Sequence, residues 1–332
     1  MGDVVLGTCS WADKTMIEAW YPPGVSSAEA RLRYYAERFD SVEVDSTFYG
    51  LPRREYAENW ARRTPEGFVF HVKAYGLMTG HEVDERSLHP DLREYPFELT
   101  QHGRVRNAPV AMVERAFELF VSELEPLRAA GKLGGVLMQY PPYITATDPK
   151  RTNDTLERIE VAQQMLDGLP LFVEFRHNSW VTGRHLGQTM KFLADRQMTY
   201  VAVDAPQLAG GTTMPPITAA TAPWAYVRFH GRNREMWNAR TSTAAERFDY
   251  LYTAEELGGW AFQLKQLAED TERTWVMFNN CRNDYAPRNA REMAEILGDI
   301  VAPRHGGVRT GEPAPSEAPL SPAPGQQLGL SL

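Results

Sequence analysis

The residues best placed to do chemistry begin in the stretch SVEVDSTFY at 41–49, where Glu43, Asp45 and Thr47 alternate with Val42, Val44 and Ser46. Alternation has the period of a strand. Two carboxylates two residues apart on an otherwise apolar strand predict a face turned into a closed interior rather than to water. The same alternation pairs His71 with Lys73 in FVFHVK (68–73), Glu174 with Arg176 in LFVEFRH (171–177), and Arg228 with His230 in AYVRFHG (225–231). Gln139 closes VLMQ and Asp204 closes YVAVD.

Charges inside a protein are costly unless paired. An interior of Glu43, Asp45, Glu174 and Asp204 against Lys73, Arg176 and Arg228 nearly balances. Fixed cations repel a divalent metal and attract an anion. We therefore expect an anionic ligand, phosphate or carboxylate, and no cofactor. A divalent metal on the Glu, Asp and His side chains is the alternative. The predicted catalytic set is Glu43, Asp45, His71, Lys73, Glu174 and Asp204; the ligand-binding set is Gln139, Arg176, Arg228, His230 and Asn280. Glu43 or Glu174 would act as general base or acid, and the two arginines would hold developing negative charge. The competing reading is an internal ion-pair network with no chemistry. No GxSxG elbow is present to suggest a nucleophilic serine.

Eight short apolar runs would carry these residues: 4–11, 41–49, 68–75, 134–141, 171–177, 199–204, 224–231 and 274–280. Helical patterns fall at 28–38, 110–130, 155–166, 186–196, 255–270 and 290–297. Alternating strands and helices imply parallel strands with right-handed crossovers. Eight such units predict an α/β fold, a closed (β/α)8 TIM-type barrel over residues 1–302. A doubly wound sheet would usually bring a glycine-rich phosphate loop, and none is found. The interval 76–109 is long for a connection and reads as an inserted lid or binding loop, or as an element misread.

Composition sets outer limits. A net charge of −8 argues against a general nucleic-acid coat protein. No apolar run is long enough to span a bilayer and the N-terminus lacks a signal-peptide pattern, so no membrane partner is expected. Two cysteines, Cys9 and Cys281, suit a reducing compartment, and the expected location is cytoplasmic. From 303 onward Pro, Gly, Ser and Ala dominate, and we read 303–332 as a flexible tail.

These motifs carry a resemblance. GTCSW (7–11), WYPP (20–23), FDSVEVDSTFYG (39–50), Trp60, FVFHVK (68–73), MTGH (78–81), LMQYPP (137–142), VEFRHNSW (173–180), VD (203–204), VRFHGR (227–232) and FNN (278–280) resemble the YecE-like domain-of-unknown-function family. That resemblance implies a TIM-type barrel and no particular reaction. The barrel layout is similar to endonuclease IV and sugar-isomerase barrels, which are metal enzymes, but this chain lacks their full Glu/His/Asp ligand set and inserts Lys and Arg.

The chain ends in QLGLSL, with Gln327, Leu328, Leu330 and Leu332. This resembles the hexapeptide by which replication and repair proteins dock on the bacterial sliding clamp, against the alternative of an ordinary leucine-containing tail. Three functions follow: a phosphodiesterase or nuclease-like enzyme brought to DNA by the clamp, an enzyme on a small phosphorylated or carboxylated metabolite, or a non-catalytic DNA- or clamp-associated protein.

Overall fold

The computed structural model describes residues 1–239, 241 and 243–303. Its chain order is β1 (Asp3–Thr8), α1 (Lys14–Ala19), α2 (Ala28–Ala36), β2 (Ser41–Val44), α3 (Arg54–Arg63) and β3 (Val69–Lys73). Next come the short strands β4 (Val83–Asp84), β5 (Glu98–Leu99) and β6 (Arg104–Arg106). Then follow α4 (Val110–Ala129), β7 (Leu133–Gln139), α5 (Pro149–Met165), β8 (Leu171–Glu174), α6 (Arg184–Asp195) and β9 (Thr199–Asp204). The chain closes with β10 (Trp224–Phe229), α7 (Ala244–Arg247), α8 (Ala254–Asp270), β11 (Arg273–Phe278) and α9 (Tyr285–Leu297).

The eight long strands form a closed parallel barrel in the order β1-β11-β10-β9-β8-β7-β3-β2, ringed by helices. The TIM-type barrel read from the sequence is the fold. Several strands end earlier than their apolar runs. Strand β2 stops at Val44, and Ser46–Phe48 turns as a 3₁₀ helix. The Thr47 hydroxyl, expected on the inner face, instead donates to the carbonyls of Val44 (3.1 Å) and Lys73 (2.6 Å) and ties two strand ends together.

Residues 76–109 are not a bare loop. They form 3₁₀ turns and a three-stranded antiparallel sheet, β4-β6-β5, held by buried Val83, Leu88, Leu92 and Val105. Helix α3 lies outside the predicted helical patterns; it buries Ala57 and packs Trp60 and Ala61 against the core. Helix starts are chemically marked: Asp148 caps α5 ahead of Pro149, and Thr253 with Glu256 forms a capping box on α8. No helix among the described residues is long and apolar enough to cross a membrane.

Strand registers fix which side chains enter the barrel. The His71 ring meets Phe172, Tyr226 and Trp275, at centroid distances of 5.3, 5.2 and 4.3 Å. These come from strands across the barrel, so all four point inward. Parallel neighbours at the same register share a face, which places Glu43 inward beside His71, Gln139 beside Glu174, and Val201 and Val203 beside Tyr226 and Arg228. Glycine makes the floor possible: a Cβ on Gly134 would come 2.6 Å from His71 Cε1, and one on Gly135 2.7 Å from Phe172 Cε2.

A charged mouth at the top of the barrel

Arg228, 1% exposed, is the centre of the site. Its Nε and Nη2 donate to Glu43 Oε2 and Oε1 at 3.0 and 2.6 Å, and its Nη1 to Glu174 Oε2 at 2.5 Å. Nη2 also lies 3.6 Å from Cys9 Sγ, and the Tyr226 hydroxyl donates to Glu43 Oε2 at 2.9 Å. Both carboxylates are fully buried. Burial pushes the Glu174 carboxyl upward, but Arg228, His230 and Arg176 outweigh it and hold the group well below the usual carboxylate range. Glu43 and Glu174 are therefore the counterions of a buried guanidinium. Arg228, expected to hold substrate charge, has its own charge already neutralised from two sides.

The second oxygen of Glu174 carries the network upward. Gln139 Nε2 donates to Oε1 at 2.7 Å, His230 Nε2 at 3.1 Å and Arg176 Nη1 at 3.4 Å. Asn279 Nδ2 approaches His230 Nδ1 at 2.8 Å, which assigns the proton to Nε2. Burial, opposed by Glu174, lowers the His230 pKa to about 4, so the ring is neutral near pH 7. Lys73 Nζ donates to Gln139 Oε1 at 3.0 Å and lies 4.4 Å from the Phe48 ring centroid. The Arg176 guanidinium sits 5.1 Å from the Trp237 ring centroid. Asp45, just past the end of β2, is half-buried; burial, opposed by Lys73 and reinforced by Glu43, raises its pKa to about 6.

Three sequence-predicted residues stand apart. His71 lies below the mouth among aromatic rings, and neither ring nitrogen has a hydrogen-bond partner among the described residues. Asp204 shares its register with outward-facing Phe229 and so faces the helical shell. It accepts from Arg232 Nε and Nη2 (2.9 and 2.7 Å), the Tyr252 hydroxyl (2.6 Å) and Trp260 Nε1 (2.7 Å). Asn280 donates to the Tyr250 carbonyl and to Asn289 Oδ1, anchoring α9; Asn279 occupies the mouth instead. Gln327, Leu328, Leu330 and Leu332 lie outside the described residues. Tyr226, Asn279, Cys9, Phe48 and Trp237 join the site although none belongs to the predicted catalytic or ligand-binding set. Alternation along β11 carries the signal for Asn279, two residues beyond inward Met277. Among the described residues, no group of three or more His, Cys, Asp or Glu side chains is close enough to hold a metal ion.

His71 makes a measurable prediction. Burial, with Arg273 adding, lowers its pKa from 6.5 to about 3. Between those values the unfolded chain binds a proton that the folded chain refuses. The stability contribution is complete above pH 6.5 and is lost as pH falls toward 3. In urea unfolding at pH 4, 5 and 6, His71→Phe should lose stability less steeply than the native chain, by about 1.4 kcal/mol per pH unit. Equal slopes would contradict a neutral His71.

A family model described as "Protein of unknown function DUF72" matches residues 5–314. The UPF0759 protein YunF of Bacillus subtilis is 30% identical over 308 residues, spanning 91% of this chain and 98% of its own. A crystal structure of a DUF72 protein from Thermotoga maritima is similar with a TM-score of 0.69 and 29% identity, covering 89% of this chain and 99% of that one. One from Enterococcus faecalis gives 0.70 and 23%, covering 89% and 95%.

Proposed function

The chain belongs to the DUF72 family, the same family as the YecE-like pattern, and on that premise we propose that its barrel mouth is an enzyme site for an anionic ligand, phosphate- or carboxylate-bearing. One observation carries this reading. Lys73 and Arg176 are half-buried cations without a dedicated counterion among the described residues: Lys73 bonds neutral Gln139, and Arg176 reaches only an oxygen of Glu174 that Gln139 and His230 already occupy. Lys73 is the last residue of β3 and Arg176 lies two residues past the end of β8, both at the end of the barrel where the mouth opens and beside an Arg228 that is already neutralised. Charge-assisted bonds from such groups are strong. Lys73 and Asp45 are the groups suited to proton transfer. Burial first, then Arg228, lowers the Lys73 pKa to about 8 despite Glu174, Glu43 and Asp45. Both groups thus sit near neutrality, where general acid–base catalysis is efficient.

Calorimetric titration with inorganic phosphate, pyrophosphate and small dicarboxylates tests the reading. Arg176→Gln should weaken binding about tenfold or more, the loss of one charge-assisted contact. For the dicarboxylates, which keep both charges over this range, affinity should rise as pH falls from 8 toward 6, because Lys73 gains its proton and Asp45 loses its charge. Binding insensitive to both would sink the proposal. A phosphodiester is covered by the same chemistry, and the QLGLSL end supports a second reading, recruitment to the bacterial sliding clamp. Micromolar clamp binding by the full chain, absent from a chain ending at Ala302, is the expected result; equal behaviour of the two would remove that reading.

A further inference from the structure

We propose that Lys73 is a carbonyl-reactive amine, which forms an imine with an aldehyde or ketone carrying an anionic group. The inference rests on the reading of Arg176 as the anion holder. Its own support is the surroundings of one nitrogen. Lys73 stands at the last position of β3, at the end of the barrel where the mouth opens. Among the described residues no carboxylate lies within ion-pair distance of Nζ; its hydrogen-bond acceptor is the neutral Gln139 amide oxygen at 3.0 Å. The Phe48 ring covers it at 4.4 Å and limits its hydration. Two guanidiniums, Arg228 and Arg176, converge on the same Glu174, and Gln139 links Lys73 directly to that carboxylate. An ammonium that is poorly hydrated, lacks a contacting counterion and has other cations nearby gives up its proton readily, which is how amine nucleophiles are activated.

The pKa of about 8 agrees with this geometry. It leaves roughly a tenth of the amine neutral at pH 7, against well under a thousandth for an ordinary lysine. A ligand whose anionic group rests on Arg176 would turn its carbonyl toward Nζ. The nitrogen lone pair attacks the carbonyl carbon, an N–C bond forms, and the C=O π pair moves to oxygen, which takes a proton. Nitrogen then loses a proton to give a carbinolamine. The hydroxyl leaves as water after a second protonation, and the nitrogen lone pair forms the C=N bond. The sum is amine plus carbonyl plus one proton giving a protonated imine plus water, with no change of oxidation state. Asp45, raised to about 6 and within the electrostatic reach of Lys73, is suited to exchange these protons.

The test treats the full-length protein with pyruvate, or with neutral acetone, in the presence of sodium cyanoborohydride, and maps adducts by peptide mass spectrometry. With pyruvate the adduct should fall on Lys73 at least tenfold above any of the other five lysines. Lys73→Arg should abolish it, and Arg176→Gln should cut pyruvate labelling about tenfold more than it cuts acetone labelling. If acetone labels Lys73 as efficiently as pyruvate, the reactive amine stands and the anion-holding role of Arg176 falls. If pyruvate labels only solvent-facing lysines such as Lys191, the reactive amine is overturned, and phosphate calorimetry still decides the anion site.

Discussion

Arg228→Met should destabilise the protein by about 3–5 kcal/mol, the usual cost of removing one partner from a buried ion pair. Two carboxylates that are both fully buried, Glu43 and Glu174, would be left facing each other without their shared guanidinium. Domain stabilities are commonly 5–15 kcal/mol, so the loss is a large fraction of the whole. Urea unfolding measures it. Replacing all three groups together, Glu43→Leu, Glu174→Leu and Arg228→Met, should recover most of the loss, because an apolar triad of similar volume removes the desolvation cost along with the attraction. The triple variant should nonetheless bind anions poorly, since Arg176, Gln139 and His230 lose the oxygen that orients them. A single Arg228→Met variant as stable as the native chain would show that the triad is not the keystone of the mouth.

The second large effect lies outside the mouth. Asp204→Ala removes the acceptor of Arg232, Tyr252 and Trp260 together. Arg232 is one-third exposed and can turn to water, so its share is small. The Tyr252 hydroxyl and the Trp260 indole N–H are buried and cannot, at about 1–3 kcal/mol for each donor stranded. We expect a total near 3 kcal/mol in thermal or urea unfolding, with anion affinity at the mouth changed less than twofold. A selective loss of affinity with native stability would return Asp204 to the site from which its register removes it.

Much of this arrangement is legible in the sequence, for a definite reason. Strands buried on both faces usually read as apolar runs; β2, β3 and β10 are buried on both faces yet carry polar residues at alternate positions, and alternation sorted Glu43, His71, Lys73, Arg228 and His230 onto one face. What alternation cannot say is which face is inside. In YVAVD the polar residues Tyr200 and Asp204 look like the inner set, yet pairing with β10 puts Val201 and Val203 inside. The same ambiguity exchanged Asn279 for Asn280. Alternation also says nothing of height, so His71, one layer down among aromatic rings, looked like a member of the mouth. Strands β4, β5 and β6 are two or three residues long, too short to show a period, and α3 shows its apolar stripe, Ala57, Trp60 and Ala61, over barely two turns among charged residues.

The most direct test of the anion site is a crystal of the full-length protein soaked in tungstate and measured for anomalous scattering. A peak should appear within hydrogen-bonding reach of both Lys73 Nζ and the Arg176 guanidinium, above an undisturbed Arg228–Glu43–Glu174 triad, and be lost in Arg176→Gln. A mouth without tungstate, in crystals that bind it at other basic positions, would contradict the anion site.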